Sequence, residues 1–407
     1  MRYLGIATLI AAVSGFVVIF LAAWALGADG ADAFQAYWGL FFAITGVMDG
    51  LTQETTRAVA SAKASGIEGS ARPWRTATAV ALTVGLAVVG SSVFWIYDLI
   101  PNQHGVGLTL LVIGLVSYAY QALVAGLLSG LGLWRSFGHL LVIDAVLRLG
   151  LTLVAWRMGA GLRAFLIITV AGAFAWMILA CCSRDVRSAA RALTDVSQTR
   201  YRRGITMAML ATGSSAAMVT GFPVAIRLTS DGMENGAVTV AGIMMAVTLT
   251  RAPILIPLQR FQPTLIVRFV RERSVVARSV VLPVVVVMSI GFLGSAGAWL
   301  IGPWIIGWIL PDGFYVPGGI LAILTFASAL TGTLMITGAA VLVMGKHVPY
   351  VAGWIMSTVV AFAVLSLGLP LHWGVCIALI VGPLSGIAWH LSALLSPNQG
   401  EIVRIGV

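Results

Sequence analysis

Asp49, Gln53, Glu54 and Arg57 lie in a stretch, Tyr37–Ala58, that is otherwise apolar enough to cross a membrane. An ionisable group inside hydrocarbon costs about 2.5–3.5 kcal/mol on insertion scales, so it calls for a function or a partner. Asp49 and Gln53, four residues apart, share a helix face with Thr56, and that face could line a wet path. The structural alternatives are an ion pair inside a helix bundle, or an inner end where Glu54 and Arg57 already meet water. Asp144 and Arg148 form a second i, i+4 pair, about 6 Å apart along a helix axis. They can neutralise each other or line a gate. Arg251 is the one charge well inside the apolar run Ala241–Pro257. Its planar, permanently charged fork suits a phosphate, with a protein carboxylate as the alternative partner. Pro253 and Pro257 after it free backbone carbonyls and permit a bend.

These groups offer recognition and movement of charge rather than bond chemistry. The chain has no G-x-x-x-x-G-K-S/T nucleotide loop, no H-E-x-x-H and no nucleophile elbow. Cys181, Cys182 and Cys376 have no metal-ligand spacing. No enzyme activity, metal or cofactor is expected.

The elements that must position these residues are membrane helices. Hydrophobic residues make up 59% of the 407 and charged ones 9%, far below the roughly 25% charged of a soluble domain. At about 20 residues per span the chain divides into twelve: 4–26, 36–57, 77–99, 107–132, 138–158, 164–182, 205–226, 237–258, 279–303, 317–344, 349–369 and 373–395. With the N-terminus inside, nearly all of the 24 Lys and Arg fall on inner loops or ends, and only Arg157, Arg163 and Arg227 fall outside. The positive-inside rule therefore puts both termini in the cytoplasm and the chain in the cytoplasmic membrane. Trp24, Trp38, Trp95, Trp156, Trp304 and Trp373 near outer ends, and Trp74 and Trp134 near inner ones, fit an aromatic belt. The net charge of +10 follows from these basic loops facing anionic lipid, and nucleic acid is not expected as a partner. Residues 1–33 imitate a signal peptide, but the apolar run is too long for one and is expected to be kept.

An internal repeat organises the spans. Ser14-Gly15-Phe16-Val17-Val18 of the first helix matches Thr220-Gly221-Phe222-Pro223-Val224 of the seventh, and the run from Gly39 to Thr45 matches that from Gly242 to Thr248 in the eighth. Two matches in order imply two homologous six-helix halves, with the substrate site expected between them near the midplane. The expected organisation is an N-terminal lobe over 1–183, an inter-lobe cytoplasmic loop over 184–204, a C-terminal lobe over 205–396 and a cytoplasmic tail over 397–407. Gly126-x-x-x-Gly130 and Gly382-x-x-x-Gly386 are expected to be packing faces.

Leu26-Gly27, then Phe34 and Tyr37 leading to Asp49-Gly50-Leu51 and Arg57, and the Thr250-Arg251-Ala252-Pro253 run followed by Gln262-Pro263, make the chain resemble the multidrug/oligosaccharidyl-lipid/polysaccharide (MOP) exporter superfamily. Within it the likeness is to flippases of polyprenyl-linked glycans. The resemblance covers the whole six-plus-six layout, without the two further helices of the lipid II branch. It implies an all-α, two-lobe membrane fold of the MOP/MATE kind with a central cavity, reached by helices one, two, seven and eight. It further implies alternating access that moves a polyprenyl-phosphate-linked sugar or oligosaccharide for cell-envelope polysaccharide biosynthesis. Asp49, Gln53, Arg251, Asp144 and Arg148 are then the cavity residues, and Glu54, Arg57 and Arg260 the candidate inner gate. Candidate partners are membrane lipids, glycosyltransferases of the same pathway, and H⁺ or Na⁺ as coupling ion. A MATE-like drug/cation antiporter using Asp49, and a non-transporting scaffold for glycan assembly, are the alternatives.

Overall fold

A continuous helix of 64 residues would be about 96 Å long at 1.5 Å per residue, some three times the hydrocarbon thickness of a bilayer. The first element, α1 (Arg2–Ser65), has that length and is broken where it should be, at Gly27, whose φ of 65° and ψ of −174° leave the helical region. A side chain there would be strained, so glycine sets the turn between what the sequence reads as the first two spans. The computed structural model describes residues 2–66, 69–230, 238–271 and 276–396, which are helices, turns and loops with no strand among them. Ten helices are long and apolar enough to cross a membrane, or up to eleven if the pair Gln198–Val219 and Phe222–Thr229, bent by 52°, counts as one span. The first two expected spans lie inside α1, on either side of Gly27.

The chain divides into two compact units, Met1–Asp231 with Trp308–Phe314, and Gly232–Gly307 with Tyr315–Val407. In the first, α1 packs on α4 (His104–Gly130), α5 (Trp134–Arg157), α6 (Leu162–Ala171), α9 (Gln198–Val219) and α10 (Phe222–Thr229), while α2 (Pro73–Ser91) packs on α4. Three short helices, α3 (Ile96–Leu99), α7 (Ala175–Cys182) and α8 (Arg184–Ala189), complete it. A Cβ at Gly39 would meet Thr220 and Pro223, one at Gly46 would meet Ala216, and one at Gly50 would strike the Ala208–Met209 backbone. These three glycines let α9 and α10 lie close against α1, the usual device of packed membrane helices. Gly126 and Gly130 do the same for α4 against Thr52, Thr55, Thr56 and Val59 of α1, as expected.

The span 205–226, matched to the first helix in the expected repeat, packs within the first unit. The residues before it explain why. Thr194 and Val196 carbonyls accept from Gly69 N (2.6 Å) and Ala71 N (3.1 Å), Asp195 N donates to Ala58 O (3.3 Å), and Gln198 bonds Arg72 N (2.7 Å) and Thr76 (2.8 Å). The expected inter-lobe loop over 184–204 thus includes a strap bound to the first unit, and the two compact units divide at Asp231 and Gly232. Lys63 Nζ also donates to Leu131 O (2.7 Å) at this end of the unit. At its other end, Trp24 Nε1 donates to Ile309 O (2.8 Å) and Asp32 pairs with Arg227.

The second unit contains α11 (Val240–Arg271), α12 (Val276–Ser279), α13 (Val281–Ile309), α14 (Gly318–Val343), α15 (His347–Leu365) and α16 (Leu371–Leu395). Its buried centre is α14, against which α11 and α16 pack, with α15 against α16. Cβ atoms at Gly382 and Gly386 would meet Ser357 and Gly353 of α15, so this motif too is a packing face. Residues 397–407, read as a tail, lie outside the described residues.

Candidate functional site

The polar face of α1 in the second-span region turns toward α4. Thr52 Oγ1 donates to Ala122 O (3.0 Å), and the Thr56 and Ser129 hydroxyls lie 2.6 Å apart. One turn before Thr52, Asp49 Oδ1 accepts a hydrogen bond from Tyr118 Oη at 2.8 Å. The residues at 49, 52 and 56 fall at helical spacing on one stripe. Gln53, four residues beyond Asp49, is exposed.

Across the same unit, Asp144 and Arg148 of α5 form the expected i, i+4 ion pair, Nη2 to Oδ1 at 3.1 Å. The Arg148 side chain is only 7% exposed and that of Asp144 21%. The guanidinium carbon lies 4.8 Å from the ring centre of Phe42, 5.6 Å from Trp38 and 5.7 Å from Phe41. Three ring faces hold the cation where water does not. A Cβ at Gly172 would collide with Asp144 and Arg148. Gly172 opens a 3-10 turn, Gly172–Phe174, between α6 and α7, so its missing side chain makes the room this pair occupies. Phe41 in turn meets Tyr118 edge-on at 6.4 Å. Asp49, Tyr118, the aromatic rings and the Asp144–Arg148 pair are therefore one connected cluster built from α1, α4 and α5.

Two turns beyond Asp49, Arg57 bonds both carboxylate oxygens of Glu54, at 2.7 and 3.0 Å, and approaches Asp195 of the strap at 3.6 Å. Glu54 lies against Gly204 of α9. The two candidate gate residues are thus paired with each other. The side chain of Arg260 lies outside the described residues. Arg251 is buried on α11, which stays helical through Pro253 and Pro257, and Ile254 and Leu258 beyond it pack at Gly332 of α14. Among the described residues no group of three His, Cys, Asp or Glu side chains gathers as metal ligands would.

Sequence reasoning missed several partners. Tyr118 has no charge and no spacing to a carboxylate, so only the fold joins it to Asp49. Trp38, Phe41 and Phe42 carried a signal, since aromatics at i, i+3 and i+4 make one helix stripe, but their cation is on another helix. Asp32 and Arg227, 2.5 Å apart, meet only because α10 folds back on α1. His390, fully buried on α16, is held by Thr337 (3.2 Å) and the Tyr350 carbonyl (3.1 Å). A histidine inside a span was the available clue there.

No family model matches the chain. It is 36% identical over 400 residues to the uncharacterized protein Rv3630 of Mycobacterium tuberculosis, covering 97% of this chain and 92% of that protein. It is 37% identical over 394 residues to the uncharacterized protein Rv1510 of the same organism, covering 96% and 90%. The chain belongs to this family of mycobacterial proteins. The fold of this chain is that of MATE transporters of the MOP superfamily. This chain superposes on a multidrug resistance MATE family transporter in its inward-facing conformation with a TM-score of 0.63 at 16% identity, covering 94% of this chain and 95% of that one. A MOP superfamily transporter from Pyrococcus furiosus, for which a reversed polarity of the binding pocket suggests a different function, gives a TM-score of 0.59 at 15% identity, covering 97% and 96%. The all-helical membrane fold expected from the sequence is therefore found.

Proposed function

We propose that this protein is a secondary flippase that carries a polyprenyl-linked sugar or oligosaccharide across the cytoplasmic membrane for cell-envelope polysaccharide synthesis. The observation that carries this is the composition of the cluster in the first unit. It holds a caged arginine, two carboxylates, a tyrosine hydroxyl and two partly exposed rings, Trp38 and Phe42, with centroids 4.7 Å apart. Ring faces suit the C–H face of a sugar, and an arginine suits a phosphate. Arg251, buried in the second unit, adds a second cation of the type that suits the carrier's phosphate. The inward-facing and outward-facing relatives of this fold supply the alternating-access framework. Counting α1 as two crossings and the bent pair as one, we read twelve crossings with both termini inside, and H⁺ or Na⁺ as the coupling ion.

A second reading, a MATE-like antiporter of cationic drugs, is favoured by one observation: Asp49 is a carboxylate set in a bilayer-length helix and aligned by Tyr118. Depletion in cells separates the two. The flippase function predicts accumulation of lipid-linked sugar on the inner leaflet with unchanged drug susceptibility. Sensitisation to cationic drugs with normal lipid-linked sugar would instead establish the antiporter.

A further inference from the structure

Arg148 is unusual in how it is held. Its guanidinium faces are covered by Phe42, Trp38 and Phe41, which attract a cation but accept no in-plane hydrogen bond. Its edge is another matter. Asp144 Oδ1 is 3.1 Å from Nη2, yet Nε and Nη2 are both buried without a hydrogen-bond acceptor, and Asp144 Oδ1 is buried without a donor. Each such unmet group costs about 1–3 kcal/mol. Nε and Nη2 make up one edge of the guanidinium, the edge that grips two oxygens of a planar or tetrahedral oxyanion at once. Asp144 neutralises the charge without satisfying that edge. Asp144, Trp38 and Phe42 are each partly exposed, so the approach to the edge runs past Asp144, while Gly172 packs on the pair from the other side.

We propose that Arg148 is an oxyanion site of the first unit, at which a phosphate ester takes the Nε–Nη2 edge and displaces Asp144 from it. The proposal rests on the flippase reading for the identity of the phosphate, which there belongs to the lipid carrier. Asp144 is then a competitor that keeps the arginine neutralised while no substrate is bound, and the three rings fix the guanidinium plane so that only its edge is offered. This makes a definite sign prediction. If the pair were merely structural, removing the Asp144 charge would weaken the site or leave it unchanged. As a competitor, its removal strengthens phosphate binding.

The test uses the purified full-length protein in nanodiscs of zwitterionic lipid, with thermal stabilisation as the readout of binding. Farnesyl phosphate is the probe, farnesol the uncharged control, inorganic phosphate the free-ion arm and discs containing phosphatidylglycerol the bulk-lipid arm. Farnesyl phosphate should raise the melting temperature saturably, and farnesol should not. Asp144→Asn should tighten the apparent affinity by about tenfold, an ordinary size for two coupled interactions. Arg148→Gln should abolish the shift, and Arg148→Lys, which keeps charge without the fork, should restore only part of it. Equal stabilisation by farnesol, an unchanged shift in Arg148→Gln, or weaker or unchanged binding in Asp144→Asn would overturn the site. Should Arg148→Gln fail to fold, Asp144→Asn decides alone. An inorganic phosphate or phosphatidylglycerol effect that matches farnesyl phosphate and depends on Arg148 would uphold the oxyanion site and assign its source to the free ion or bulk lipid. An Arg148-dependent shift in a protein that moves no lipid-linked sugar would uphold the site and sink the flippase function; transport without any such shift would do the reverse.

Discussion

Two arginines, Arg148 and Arg251, are buried within bilayer-length helices, and one carboxylate, Asp49, takes a hydrogen bond from a tyrosine. The Tyr118–Asp49 bond is charge-assisted, the stronger class, worth about 1.5–3 kcal/mol. If it aligns a working carboxylate, Asp49→Asn should impair transport severely at normal membrane levels, and Tyr118→Phe should impair it less. The double variant should be no worse than Asp49→Asn, since both changes act through one contact. Additive losses, read in a complementation assay, would mean the two residues act separately. For Arg251, exchange for Lys should reduce transport partly and exchange for Ala severely. The charges themselves were legible in the sequence, because an ionisable residue in an apolar run stands out by its solvation cost. Their partners were not. Tyr118 and the cage of Trp38, Phe41 and Phe42 are ordinary membrane-helix residues until tertiary packing brings them to a charge.

The element scale shows the same division. The span at 36–57, the Gly27 turn and the packing roles of the two G-x-x-x-G motifs follow from composition and spacing. The attachment of α9 and α10 to the first unit does not, since it depends on Gly39, Gly46 and Gly50 lying opposite small or backbone surfaces of a helix far away in sequence. Gly126 makes a clean test, because a side chain there meets Thr55 and the Thr52 carbonyl, whereas Gly150 has nothing within 4 Å. Gly126→Val should destabilise the purified protein by about 1–3 kcal/mol, the ordinary cost of overpacking. Gly150→Ala should be neutral or slightly stabilising, as alanine is the better helix former. Comparable losses at both positions would contradict the packing described. The Asp32–Arg227 pair holds α10 to α1, so Asp32→Arg alone should lower stability and the charge exchange Asp32→Arg with Arg227→Asp should recover much of it.

For the whole molecule, the distribution of basic residues predicts which end of the first unit is cytoplasmic. Ala58, Lys63, Gly69, Ala71, Leu131 and Asp195, all placed inside by charge, bond to one another or to the strap at one end of the first unit. Trp24, Asp32, Arg227 and Ile309, all placed outside, are joined in pairs at the other. Reporters fused after Gly27, Pro101 and Pro311 should therefore score outside, and those after Gly66, Thr194 and Arg271 inside. A single robust inversion would break the twelve-crossing topology.

The central claim, that this fold carries a lipid-linked sugar across the bilayer, is tested most directly by reconstitution. The purified protein in proteoliposomes, supplied with a fluorescent polyprenyl-diphosphate sugar, should speed the loss of the label's protection from a membrane-impermeant quencher. It should do so without ATP, and Asp49→Asn and Arg251→Ala should abolish the effect. Label movement no faster than in protein-free vesicles, under proton and sodium gradients of either sign, would contradict the account.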